Sequence, residues 1–189
     1  MQQPRPVPEL MQEMADFATA VSHALSSPET NWDWRPAPQE WNLTELCCHL
    51  RDVEREVHQL RFQNMIVEEN TFISGATPDN WVAERGYRLE NGRAALQAFL
   101  QLRQETLDLL TGLDDALWQR QGRHAFFGPT SMHELLNLVV DHDEAHWQQV
   151  QMLVNGGQLA GDGVPPYQTS PHGSNHHQTR KQKTQESGN

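Results

Sequence analysis

Apolar residues recur at spacings of three and four along four stretches of the chain, which is the period of an amphipathic helix. The first stretch covers residues 7–25, and the second runs from residue 43 to about residue 67. The third covers residues 95–113, and the fourth runs from residue 131 to about residue 155. No stretch alternates polar and apolar residues as a half-buried strand does. The pattern predicts an all-α protein with four long helices.

Local signals at the helix ends support these boundaries. Asn42 followed by Glu45 resembles a capping box at the start of helix two, and Ser131 followed by Glu134 forms one at the start of helix four. The glycine pair at 156–157 is a stop signal, so we expect helix four to end there.

The connections between the helices predict the topology. Residues 26–41 contain three prolines and three tryptophans, so we expect an ordered loop packed by its own aromatic rings. Residues 68–88 lack a helical period and form a longer connection than an antiparallel hairpin needs. Such a length favours a crossover along the bundle, which would leave helices two and three parallel. The predicted fold is a four-helix bundle with a long crossover between helices two and three.

The composition fits one globular domain. The chain has 189 residues, of which 37% are hydrophobic, and this is enough for one sizeable core. We assign residues 1–160 to the bundle. Residues 161–189 are mostly Gly, Pro, Ser, Asn, Gln and Lys, so we expect a polar, disordered tail.

Charge and cysteine usage narrow the partners and the compartment. A net charge of −11 argues against binding to nucleic acid or to an anionic membrane surface. Residues 1–10 lack the charged segment and the apolar run that are typical of a signal peptide, and no later apolar run approaches the roughly 20 residues that span a bilayer. Cys47 and Cys48 are adjacent in a predicted helix, where consecutive side chains diverge, so we expect free thiols in the cytoplasm.

Three of the ten histidines are candidate ligands of a metal ion. His142 and His146 are spaced i and i+4, so they lie on one face of helix four, about 6 Å apart at Cβ. That face also carries the apolar positions of the helix, where unligated imidazoles would be costly to bury. His49 lies on helix two at the margin of the apolar stripe. Three imidazoles from two helices match the three protein ligands and the open position of a catalytic zinc-type site.

The other histidines have structural interpretations. We expect His23, His58 and His133 to have surface or half-buried structural roles, and nothing in the tail orders a site around its three histidines. Residues 142–146 match neither the zincin motif nor its inverted form, because Asp143 and Ala145 occupy the positions where Glu is required.

Helical projection places charged residues on apolar faces near the candidate site. Arg103 falls within the apolar face of helix three, so we predict an internal ion pair with Asp143, Glu54 or Asp52. We first interpret this ion pair as one that stabilises the bundle, and second as one that orients an imidazole that binds the metal ion. His124, in a glycine-bounded loop, is a candidate polar group near a substrate.

Further candidates near the site have a structural interpretation that we prefer. Cys47 lies close to the centre of an apolar stripe, so a core residue is favoured over a thiolate ligand or nucleophile. Trp32, Trp34 and Trp147 are favoured as core residues over the lining of a pocket mouth.

Over about residues 7–157 the sequence resembles the DinB-like superfamily of metal-dependent enzymes. Three local patterns carry the resemblance: Trp41 to Leu46 leading into His49, Asp52 and Glu54; Trp118, Gly122, His124 and Gly128; and His142, Asp143, His146 and Gln149. The resemblance implies a four-helix bundle with a long crossover, one metal ion bound by His49, His142 and His146, and a homodimer. Relatives of this kind include transferases and isomerases that use low-molecular-weight thiols such as mycothiol or bacillithiol.

The sequence thus predicts a metal-dependent enzyme for a small-molecule substrate, with a transferase first and a hydrolase next. The ion would lower the pKa of a coordinated thiol or water. Imidazole ligation suits several divalent transition metals, of which zinc is the first expectation and nickel the next. The alternative is a non-catalytic helical dimer that binds a metal or a small ligand.

Overall fold

The computed structural model describes residues 5–161 of the chain, with side chains through residue 157. The four long helical segments are α1 (Val7–Ala24), α2 (Leu43–Val53) with its continuation, α5 (Gly92–Leu110) and α7 (Met132–Gly161). A π-helix (Glu54–Gln59) and then α3 (Leu60–Val67) follow α2 without a break, so the three form one continuous rod. Four helical rods therefore build the fold, as the periodicity predicts.

Both predicted capping boxes are present. The Asn42 side chain accepts a hydrogen bond from the backbone N–H of Glu45, and the Glu45 carboxylate accepts one from the backbone N–H of Asn42. The hydroxyl of Ser131 and the carboxylate of Glu134 make the same reciprocal pair ahead of α7. Each box satisfies backbone donors that a helix start leaves free, which fixes where these two helices begin.

The core has two clusters, and their membership gives the direction of each helix. The upper cluster includes Val21 of α1, Leu46 of α2, Phe99 of α5 and Val150 of α7. The lower cluster joins the other end of each rod, through residues Leu10, Phe62, Leu110 and Leu136. The α1 and α7 helices therefore run from the lower to the upper cluster, whereas the α2–α3 rod and α5 run the opposite way.

The segment between α3 and α5 crosses the length of the bundle. It starts at the lower cluster, where Ile73 is buried, and returns to the upper cluster, where Val82 and Tyr87 are buried. Along this path lie β1 (Phe72–Ile73), α4 (Trp81–Glu84) and two short 3-10 turns. This confirms the predicted crossover and the parallel arrangement of α2 and α5.

The expectation of an entirely helical chain is wrong in one respect. A small sheet has the order β1-β2-β3, with β2 (Gln121–His124) parallel to β1 and antiparallel to β3 (Gly128–Ser131). Between α5 and β2 lies one more short helix, α6 (Asp115–Trp118). Strands of two to four residues are too short to display an alternating period, so the sequence pattern cannot reveal them.

The predicted stop at residues 156–157 is also wrong, because α7 continues to Gly161. The Trp34 ring packs so closely on Gly156 that an added Cβ would clash with it. Because Gly156 has no side chain, the loop between α1 and α2 packs against α7 at this position. The glycine does not end the helix.

The polar tail, with His172, His176 and His177, lies outside the described residues. Among the helices within the described range, none is both long and apolar enough to cross a membrane.

Candidate metal centre

The side chains of His49, His142 and His146 converge between α2 and α7, and we call these three residues the histidine cluster. The Nε2 atom of His142 lies 3.4 Å from Nε2 of His49 and 3.1 Å from Nε2 of His146. One ring nitrogen from each residue lies within 4.8 Å of those of the other two, so the cluster could hold a metal ion. In the described part of the chain, it is the one such group of His, Cys, Asp and Glu side chains.

The spacing of these nitrogens fits a tetrahedral transition-metal ion. Zinc–nitrogen bonds of about 2.1 Å in a tetrahedral arrangement place ligand nitrogens about 3.4 Å apart. The two separations measured from His142 agree with that value. Three protein ligands also leave one tetrahedral position for an exogenous molecule.

His49 is more buried than the sequence predicts. Helical projection places it at the margin of the apolar stripe, yet it is fully buried. The crossover covers the outer side of α2, where the Tyr87 hydroxyl donates a hydrogen bond to Asp52 and Arg51 pairs with Glu90. A projection of one helix contains only the residues of that helix, so it cannot predict that another segment covers its outer face.

The site holds its imidazoles in the neutral form. Burial, followed by the neighbouring histidines, lowers the pKa of His49 to about 2. Burial and His142 lower the pKa of His146 to about 3, and burial takes the pKa of His142 well below its usual value. Neutral imidazole is the form that binds a metal ion, so no proton has to leave at neutral pH.

Two neighbours shape this site. The Oε1 atom of Gln149 lies 3.0 Å from Nδ1 of His146, and because Oε1 is an acceptor, Nδ1 carries the proton and Nε2 is left free for an ion. The Trp41 ring lies 4.9 Å from the ring of His49 and stacks on His146 at 6.3 Å, measured between centroids. Trp41 therefore forms an aromatic wall of the site.

Beside the histidine cluster lies a buried ion network of Arg103, Glu54 and Asp143, which we call the charge cluster. Nη2 of Arg103 donates hydrogen bonds to Oε2 of Glu54 at 2.8 Å and to Oδ1 of Asp143 at 3.0 Å. The guanidinium also bonds the backbone oxygen of Met14. The predicted internal ion pair is thus present, with two of the three predicted partners. The third, Asp52, instead binds Arg51, Arg55, Arg85 and Tyr87 at the edge of the bundle.

His58 was expected to have a surface or half-buried role, and this prediction is wrong. It is only 7% exposed, and its ring centroid lies 5.1 Å from that of His142. Burial lowers its pKa to about 3. The π-helix turns its side chain inward, and no feature of the sequence indicated a π-helix.

Within the described residues, His124 does not belong to the histidine cluster. It is buried at the end of β2, where its ring contacts Phe126 and Phe127 and its Nδ1 accepts a hydrogen bond from the Phe126 backbone. A role near a substrate stays a prediction.

The remaining candidates make structural contacts. Cys47 and Cys48 are buried free thiols, and burial raises both pKa values, that of Cys48 to about 12, so neither is a reactive thiolate at neutral pH. Trp32 packs on Gly92 and Trp34 on Gly156. Trp147 packs against the upper cluster.

Comparison with known proteins agrees with the fold. The family model described as the DinB superfamily matches residues 11–150. The structure is similar to that of YfiT from Bacillus subtilis, with a TM-score of 0.70 and 16% sequence identity. The match covers 87% of this chain and 93% of YfiT, which is described as a probable metal-dependent hydrolase with an unusual four-helix bundle topology. No curated protein matches the sequence.

Proposed function

Because this chain belongs to the DinB superfamily, we propose that it is a metal-dependent enzyme in which His49, His142 and His146 bind one divalent transition-metal ion. The observation that carries the proposal is the convergence of three neutral imidazoles at ligand spacing. Without an ion, three neutral imidazoles direct their Nε2 atoms at one another with no cation between them. Ligation satisfies these converging nitrogens, because an ion accepts the lone pair of each.

The residues around the ion have separate roles. His49, His142 and His146 present Nε2, Gln149 fixes the tautomer of His146, and Trp41 shields one side from water. The bound ion would lower the pKa of a coordinated water or thiol and so supply a nucleophile at neutral pH. Among the described residues no fourth His, Cys, Asp or Glu completes the group, which supports an open position for that nucleophile.

Hydrolysis of a small molecule is the reaction that these features support first. YfiT, whose fold this chain shares, is described as a probable metal-dependent hydrolase. S-transfer from a low-molecular-weight thiol is the second candidate, from the family resemblance of the sequence. In that reaction the thiol would come from a cosubstrate, because Cys47 and Cys48 are buried and protonated.

The competing function is a non-catalytic, metal-binding dimer. A coordination sphere closed by a fourth protein ligand would favour it, and an ion open to water favours the enzyme. Zinc is our first choice of metal and nickel the second. We also propose a homodimer, which light scattering after size exclusion will test.

Metal content is the direct test of the site. We expect wild-type protein incubated with zinc or nickel and desalted to retain about one ion per chain, and His49→Ala and His142→Ala to retain none. The matched control is His23→Ala, at an exposed position on α1, which should bind as the wild type does. A wild-type protein that retains neither metal would overturn the proposal.

Activity then separates the two reactions. Metal-loaded protein is assayed against a panel of esters, amides and lactams, with and without an added low-molecular-weight thiol. Turnover that needs the ion but no thiol supports hydrolysis, whereas turnover that needs both supports S-transfer. An open site that turns over nothing in the panel favours the binding protein.

A further inference from the structure

The residue His58 extends the metal centre beyond its three predicted ligands. Its ring centroid is nearer to that of His142, at 5.1 Å, than the His49 centroid is, at 5.6 Å. The His58 and His142 rings meet edge to face, with 78° between their planes. His58 is more than nine-tenths buried, and its Nε2 atom has no hydrogen-bond partner in the described structure.

The π-helix explains how His58 reaches this position. In a regular α-helix, residues nine apart lie on opposite sides at 100° per residue, so His58 would face away from His49. The π-helix Glu54–Gln59 has wider turns, which delay the rotation, so that His58 is buried together with Glu54 and Val57. Short π segments within α-helices often occur at functional sites.

His142 needs a hydrogen-bond partner on its second nitrogen. Its Nε2 faces the other two histidines, so a metal-bound His142 carries its proton on Nδ1. That atom is buried without a partner, and Oδ1 of Asp143 is too far for a hydrogen bond at 3.7 Å. Metal-binding histidines almost always donate their second N–H to a neighbouring acceptor, which fixes the ring.

We propose that His58 is the positioning residue for His142 and holds its imidazole in the orientation that binds the ion. The His58 and His142 rings pack edge to face, and the unpartnered Nε2 of His58 supplies an acceptor for the Nδ1–H of His142 through one bridging water. His58 is not itself a ligand, since it is not part of the cluster whose nitrogens lie within 4.8 Å of one another. This role rests on the metal site proposed above.

His58 also connects the metal site to the charge cluster. Glu54 lies one turn earlier in the same π-helix, and its Oε2 binds Arg103 while its Oε1 atom is buried without a partner. The segment that turns His58 toward His142 therefore also places a charge-cluster member beside the site. The π-helix thus sets the surroundings of His142 from two positions.

Cobalt(II) binding tests the proposal, because its absorption bands report ligand geometry independently of activity. His58→Phe keeps an aromatic ring and removes both nitrogens, whereas His58→Gln keeps a polar acceptor. We expect His58→Phe to weaken cobalt affinity about 10- to 100-fold and to shift the bands. His58→Gln should recover most of the affinity. The thermal midpoint of each metal-free variant checks folding, and His23→Phe is the control at an exposed position.

The outcomes separate this inference from the proposed function. If the wild type binds no cobalt, both fail. If the wild type binds and His58→Phe matches it in affinity and spectrum, the positioning role is overturned and the metal site stands. If His58→Phe abolishes binding as His142→Ala does, His58 is a ligand, and the inference is also overturned.

A measurement on the wild type covers the case in which the variants do not fold. In the zinc-loaded protein, nitrogen-15 spectra of the imidazoles should show His142 protonated at Nδ1, with that proton protected from exchange and close to the His58 ring. A rapidly exchanging or absent Nδ1 proton on His142 would contradict the positioning role.

Discussion

The bundle holds two polar clusters side by side, and they differ in how their polar atoms are satisfied. In the charge cluster, the guanidinium of Arg103 lies between two carboxylates and bonds both. In the histidine cluster, three neutral rings face one another, and Nδ1 of both His49 and His142 lacks a partner. Each carboxylate of the charge cluster thus bonds a cation, although Oε1 of Glu54 has no partner, whereas the histidine cluster holds no opposite charge within it.

The difference indicates what each cluster is for. In a buried ion network the members compensate one another's charges through direct hydrogen bonds, and removing the shared cation leaves uncompensated carboxylates. Rings whose nitrogens converge without a charged partner are costly unless a ligand joins them. The charge cluster therefore fits a role in the fold and the histidine cluster a role in binding. Four measurements on metal-free protein test this contrast.

Among the substitutions, the largest effect is expected when the charge cluster is broken. Arg103→Met leaves Glu54 and Asp143 as buried, unpaired carboxylates, so we expect the free energy of unfolding in urea to fall by about 3–5 kcal/mol. The matched control adds Glu54→Gln and Asp143→Asn, which remove the orphaned charges and should recover much of the loss. A loss below about 1 kcal/mol would mean that the network contributes little.

The pH dependence should come from the histidines. Burial lowers the pKa values of His49, His58 and His146 to between about 2 and 3, below the value of about 6.5 in the unfolded chain. Below pH 6.5 the unfolded state therefore binds more protons than the native state, and stability falls as the pH falls.

Between pH 7 and pH 5, urea denaturation should show a loss approaching about 1.4 kcal/mol per pH unit for each histidine that stays neutral in the native state. The control is His23→Ala, which removes an exposed histidine and should leave the slope unchanged. A stability that does not vary over this range would show that the cluster takes up protons freely when folded.

Replacing one ring of the histidine cluster should have a smaller effect. His142→Met removes a poorly satisfied polar group, so at neutral pH we expect the free energy of unfolding to change by less than about 1 kcal/mol. Adding a metal at 100 times its dissociation constant should stabilise the wild type by about 2.7 kcal/mol and the variant not at all. A large loss in the metal-free variant would assign the cluster to the fold.

The smallest effect is expected at the bundle edge. Glu56 and Arg85 form an ion pair in which each side chain is about one-third exposed, so Glu56→Gln should cost less than about 0.5 kcal/mol. Asp52→Asn is the buried counterpart, because Asp52 accepts hydrogen bonds from Tyr87 and from arginines. Equal losses of unfolding free energy from the two variants would show that burial does not determine how much these ion pairs stabilise the fold.

Local sequence determined much of the protein. The helical periodicity, the two capping boxes and the length of residues 68–88 predicted the four rods and the crossover, because a helical period and a cap depend on neighbours within one or two turns. The i, i+4 spacing of His142 and His146 placed both rings on one face for the same reason.

Tertiary structure decided how those elements meet. The burial of His49 depends on a crossover that covers α2, and the close approach of Trp34 lets α7 continue past a glycine pair that would otherwise end it. The small sheet forms from strands too short to carry a period. The inward turn of His58 depends on a π-helix within an otherwise regular rod. Contacts between segments distant in the chain decide the burial of His49, the course of α7 and the sheet, and the local sequence pattern does not contain them.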